Sequence, residues 1–168
     1  MKPSKIITPK AKKSWLLLPN FKAVTWKGII YCRKQSEVDL INESDVIDSS
    51  FKSHETIHVR QAQSMKDSWT RFYLNYTWNW IKNIPLITVN VHAIYKLIPT
   101  EIEAYLYQDD WDYADKPQPV TRWREFQKLT LKDKKTIAVL FYDVYKKKRT
   151  YSSILYDMFI VDDDYAGS

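Results

Sequence analysis

Two of the three histidines in the chain stand four apart around a glutamate, in His54-Glu55-Thr56-Ile57-His58. Residues four apart share one face of an α-helix, so this spacing aims two imidazoles at a common point and leaves Glu55 beside them. Neutral imidazole nitrogen is a ligand for Zn²⁺, and a catalytic zinc takes three protein ligands and keeps a fourth position for water. The metal brings the pKa of that water towards neutrality, and a neighbouring carboxylate can take its proton and pass it to a leaving amine. In this HExxH pattern His54 and His58 are the expected ligands, and Glu55 is the expected general base for hydrolysis of a peptide or protein substrate.

Two imidazoles do not complete such a site. Cys32 precedes the motif, and the longer HExxHxxGxxH spacing fails because Gln61 and Ser64 stand where it needs Gly and His. Thr100-Glu101-Ile102-Glu103 offers two carboxylates at the start of a predicted helix. Thr100 and Glu103 have the spacing of a capping box, in which the glutamate reaches back to the cap amide. That would leave Glu101 to face the metal, with Glu103 the second choice. Peptide hydrolysis also needs a donor to the developing oxyanion, and His92, Arg60 and Tyr105 are candidates. For His92 the plainer expectation is a partly buried helical residue with its own hydrogen-bond partner.

Taken together, His54-Glu55-Thr56-Ile57-His58 with Arg60-Gln61, Ala93-Ile94-Tyr95-Lys96, Glu101-Ile102-Glu103-Ala104-Tyr105 and Asp109-Asp110-Trp111-Asp112-Tyr113 resemble the small zincin-like HExxH proteins of the gluzincin type. The resemblance covers about residues 21 to 115 and implies a zinc metallopeptidase. It places the third ligand at the first Glu of the E-x-E-A-Y segment, which is Glu101. Larger gluzincin families carry an Asp four residues after the ligand Glu, supporting a metal-bound His, and here that position is Tyr105. A metal-bound His normally gives its other ring N–H to a carboxylate or carbonyl. Asp109, Asp112 or a backbone carbonyl is then expected to serve.

The elements that must hold these residues can be read from the flanking sequence. Phe21 to Arg33, rich in β-branched and aromatic residues around Gly28, reads as two short strands or one bent strand. The polar stretch from Glu37 to Ser50 reads as a loop ending in a helix cap at Asp48 or Ser50, and the HExxH helix then runs to about Met65. Asp67-Ser68 can cap a second, aromatic helix that stops near Pro85. Beyond Pro117 and Pro119, a short helix is expected within Val120 to Lys128. Another follows from Leu131, with Asp133 near its start and Lys146 to Arg149 at its end, and Tyr151 to Val161 forms a last helix or strand. The expected fold is mostly helical α+β, zincin-like, with a small β element before the HExxH helix. Residues 1–20 form a basic arm, 21–116 the metal-binding domain, and 117–168 a helical extension packed on the same domain with an acidic tail.

Composition excludes several function classes. The 168 residues are 45% apolar and 15% aromatic, enough for one folded core. Two glycines, Gly28 and Gly167, cannot build a phosphate loop, a dinucleotide fingerprint or a G-x-S-x-G nucleophile elbow. A single cysteine excludes an intramolecular disulfide and a thiolate zinc site. No signal peptide or uncharged run of membrane-spanning length is read, so a cytoplasmic protein is expected. The net charge of +6 is spread along the chain, and nucleic acid is not an expected partner. Aromatic residues flanked by Arg71 and Lys82 suit either a packed core or peripheral contact with a membrane surface. The rival to an enzyme is a non-catalytic protein with a structural or vestigial metal site, binding a partner or a membrane surface.

Overall fold

The computed structural model describes residues 10–11, 23–26, 29–32, 34–36, 38–39, 50–110, 112–113 and 120–161. The chain is mostly helical with a small sheet, in the order expected. β2 (Ala23–Trp26) and β3 (Ile29–Cys32) form an antiparallel pair in which Trp26 faces Ile29 and Ala23 faces Cys32. β1 (Lys10–Ala11) lies parallel to β3 on its other edge, so part of the stretch read as a basic arm is a strand.

The HExxH helix, α1, spans Ser50–Ser64. Ser50 is already helical, and Asp48 lies outside the described residues. The turn that follows passes through Lys66 (φ 63°) and Asp67 (φ 52°), left-handed positions that a side chain occupies at a cost of about 1 kcal/mol each. Ser68 then caps α2 (Trp69–Asn83) by accepting from the Arg71 amide, as its residue type predicts. Pro85 cannot continue the α-helical hydrogen bonding, and the chain tightens into a 3-10 turn over Ile84–Thr88.

After α3 (Ala93–Lys96), α4 (Pro99–Tyr107) carries the predicted carboxylates. Its cap corrects the sequence reading. Pro99, with its fixed φ and no N–H, takes the first helical position, so Ile98 is the cap and Thr100 is inside the helix. Thr100 Oγ1 is buried without a partner, and Glu103 makes no capping bond.

The C-terminal helices are α5 (Trp123–Phe126), α6 (Leu131–Leu140), α7 (Tyr142–Tyr145) and α8 (Tyr151–Tyr156), with a π turn over Asp157–Val161. Thr130 and Asp133 form a full capping box on α6. The lysine run does not terminate α6, which stops at Leu140; it follows α7 and turns at Lys147, φ 53°. Leu97, Ile102 and Leu106 meet Ile137, Phe141, Ile154 and Leu155 in one core, so these late elements close over the side of α4 away from α1. Smaller clusters tie α1 to the rest: Ile57 to Ala104 and Tyr113, and Ala62 to Phe72 and Trp123.

Candidate metal centre

α1 and α4 pack together, and their contact brings His54, His58 and Glu101 into one group whose ligand atoms all lie within 4.8 Å of one another. The four-residue step places the histidines one above the other on α1, their rings 4.8 Å apart and nearly perpendicular. Glu101 reaches between them from the first turn of α4. His54 Nε2 is 3.4 Å from Glu101 Oε2, and His58 Nε2 is 3.3 Å from Glu101 Oε1. Among the described residues no further His, Cys, Asp or Glu joins the group.

The two His–Glu101 separations are of the size a metal ion sets between its donors. A tetrahedral zinc with bonds of about 2.0–2.1 Å holds its donors about 3.3 Å from each other. The protein alone leaves the site incomplete, because Glu101 Oε2 is buried with no hydrogen-bond partner, His54 Nε2 standing off at 3.4 Å. An unpaired carboxylate oxygen in the interior costs several kcal/mol unless a cation or donor meets it, roughly as for any buried charge. Burial disfavours the His58 imidazolium, but the Glu101 carboxylate, helped by Glu55 and Gln61, raises its pKa to about 9. Burial pushes the Glu101 carboxyl up, and the His58 charge with the close approach of both imidazoles outweighs it and holds the group well below the usual carboxylate range. Positive charge is thus called for between these side chains, whether a proton or a metal supplies it.

Gln61 fixes which nitrogen of His58 faces that charge. Its Nε2 donates to Glu103 Oε2 at 2.6 Å and to the Thr100 carbonyl at 2.9 Å, which leaves its Oε1 against His58 Nδ1 at 2.8 Å. An amide oxygen only accepts, so Nδ1 carries a proton and the Nε2 lone pair of neutral His58 is free for a ligand bond. Glu103 is held in turn by the Tyr113 hydroxyl at 2.7 Å. Both Glu103 oxygens are used in this way, and it is not one of the metal-binding group. On the other face Tyr76 donates to Glu101 Oε1 at 2.9 Å and Phe72 lies edge-on to His58. Gln61, Tyr76 and Tyr113 were not among the sequence candidates. Gln61 and Tyr76 each sit a turn or more from the motif, and only a contact between distant segments reveals their tasks.

The remaining candidates divide. Glu55 is buried on α1, close enough for its charge to act on His58, Tyr95 and Tyr105. Tyr105 packs its ring 4.5 Å from that of His54, and Lys96 donates to its hydroxyl. Burial lowers Lys96 to about 8, against the opposing pull of Glu101. The others lie elsewhere. His92 is exposed at the N-terminus of α3 with its ring by Tyr145, contrary to the partly buried role expected. Asp109 and Asp112 are exposed, and the role assigned to them is filled on His58 by Gln61. Arg60, two residues past His58 and so about 200° round the helix, donates to Gln63.

No protein-family model, curated protein or solved structure matches this chain. Among the described residues no helix is long and apolar enough to cross a membrane.

Proposed function

We propose that the chain is a zinc-dependent peptidase in which His54, His58 and Glu101 hold the metal and Glu55 is the general base. The observation that carries this reading is the convergence of three buried donors from two helices, at zinc-like spacing, beside the motif's glutamate. Zinc bound there would polarise a carbonyl oxygen and bring the pKa of water towards neutrality. The side chains supply the rest. Glu55 accepts a proton from the attacking water and delivers it to the leaving amine nitrogen. Gln61 keeps His58 in the tautomer that offers Nε2 to a metal. Because Lys96 is the donor in its bond to Tyr105, the Tyr105 hydroxyl retains a proton for the oxygen that gains charge.

The burial of Glu55 (7% exposed) and Glu101 (1%) favours a second reading, in which the same ion only ties α1 to α4. Elemental analysis of wild type, His58→Ala and Glu101→Ala, with peptide-library hydrolysis by wild type and Glu55→Gln, separates the two. The peptidase reading expects about one zinc per chain in wild type and Glu55→Gln, none in the ligand variants, and hydrolysis by wild type only. Zinc without hydrolysis by wild type supports the structural tie. No zinc in wild type after reconstitution refutes both.

A further inference from the structure

The helix that lines the metal centre has an outer face that nothing in its inner role explains. α2 turns Phe72 and Tyr76 towards the site and buries Asn79 and Asn83, while Leu74, Trp78 and Ile81 are 67%, 57% and 44% exposed. Spacings of four and three put those three within about 60° of one another round the helix. The stripe does not end with the helix. Ile84, Ile87 and Val91 continue it through the 3-10 turn and beyond, each exposed by more than two-fifths. Next to its far end stand the exposed rings of Tyr142 and Tyr145, whose hydroxyls donate to the Val89 carbonyl and to Asn90 Oδ1.

The charges around this face are mostly of one sign, Asp143 between the two tyrosines being the exception. From Ser68 to Thr100 the chain contains no Asp or Glu, but it has the exposed Arg71 and Lys82; the third cation of that stretch, Lys96, is turned inward to Tyr105. Lys82 extends over the Trp78 ring, 5.3 Å from its centroid, keeping its ammonium at the edge of the apolar surface. Directly after Tyr145 come Lys146, Lys147 and Lys148, all exposed and without an ion pair among the described residues. Arg149 is different, since it pairs with Asp157. Through Tyr142 and Tyr145 the fold therefore sets the lysine run beside the end of a tryptophan and isoleucine stripe that lies far from it in sequence.

We propose that this face, from Leu74 to Val91 with Lys146 to Lys148 beside it, docks peripherally on a bilayer of anionic lipid. Apolar side chains enter the boundary of the acyl region, Trp78 and the tyrosines suit the headgroup level, and the lysines neutralise lipid charge. A protein partner would be met by shape and paired charges; a surface on which Arg71, Lys82 and Lys146 to Lys148 outnumber Asp143 complements an anionic sheet. The proposal does not depend on the metal centre or on peptidase activity.

The test is sedimentation of the full chain with vesicles of phosphatidylcholine alone or mixed with phosphatidylserine, alongside the Ile81→Asp/Ile87→Asp variant and the variant with Lys146, Lys147 and Lys148 changed to Gln. These positions are exposed, and circular dichroism checks that each variant is folded. Wild type should bind the mixed vesicles and be released by salt, and the triple lysine variant should bind on the order of a hundredfold more weakly. The aspartate variant should lose binding while keeping its lysines. Absence of wild-type binding at low salt, or binding that both variants retain, overturns the proposal. So does a wild-type dimer, measured by light scattering, that the aspartate variant dissolves without any vesicle binding, since the face would then join two copies.

Discussion

Replacing Gln61 by methionine keeps the length of a fully buried side chain and removes every hydrogen bond it makes. Three interior groups lose a partner: the His58 Nδ1–H, the Glu103 Oε2 oxygen and the Thr100 carbonyl. Each orphaned buried group costs about 1–3 kcal/mol, so the variant should be destabilised by roughly 3–9 kcal/mol, a large part of a domain's usual stability. Glu103 keeps its Tyr113 bond and the carbonyl can shift slightly, which argues for the lower half of that range. The effect on the metal centre is separable. With Oε1 gone, His58 is no longer held in the tautomer that presents Nε2, and loss of such an outer support weakens a metal site roughly ten- to a hundredfold, or about 1.4–2.7 kcal/mol. The assay is competition for zinc with a chromophoric chelator, with urea unfolding of the metal-free protein run in parallel. Gln61→Glu is the companion variant, since it keeps an acceptor for His58 while setting a carboxylate against Glu103. Gln61→Met that is folded and binds zinc as tightly as wild type would refute the assignment of His58's orientation to Gln61.

Two further predictions concern stability alone. Lys134 is buried on α6 with its ammonium on Asn83 Oδ1 at 2.7 Å, and burial, with Lys82 nearby, lowers its pKa to about 8 from the usual 10.5. Below pH 8 the folded chain carries a penalty on the order of 3 kcal/mol for that charge; between about 8 and 10.5 the unfolded chain binds more protons, so stability rises with pH. Chemical unfolding of wild type and Lys134→Met across this window should show wild type gaining on the variant as pH rises, and parallel curves would sink the idea. Lys66→Gly should raise the melting temperature by relieving one left-handed residue, worth about 0.5–1 kcal/mol; a fall in Tm would show that the Lys66 side chain matters more than its backbone.

Local signals in the sequence were read correctly where the chemistry is local. The His54–His58 spacing is a property of any helix, the Ser68 cap needs only its own hydroxyl and the next turn, and the β2–β3 pair spans two short β-rich runs. The reading went astray where neighbours compete. Thr100 and Glu103 satisfy the capping-box pattern, but Pro99 starts the helix one residue earlier, and Glu103 goes to Gln61 and Tyr113 instead. Glu101 nevertheless faces the histidines, so a faulty argument selected the carboxylate that lies with them. What stayed invisible was long-range. Gln61 meets residues about forty positions away, and the two-residue β1 carries no pattern of its own until β3 offers it an edge. His92 shows the reverse: a residue type with many chemical uses, placed by α3 at the surface.

From Ser53 to Val59 every residue of α1 is buried, yet only Ile57 and Val59 are aliphatic. His54, Glu55 and His58 are therefore part of the interior and are not set on top of it. In most domains the core and the chemistry can drift independently, since one can be repacked while the other is kept. Here a change that retired His54, Glu55 or His58 would leave a void or an unpaired charge in the middle of the fold. Losing these side chains would then demand a later repair of the packing, a two-step path whose first step is penalised.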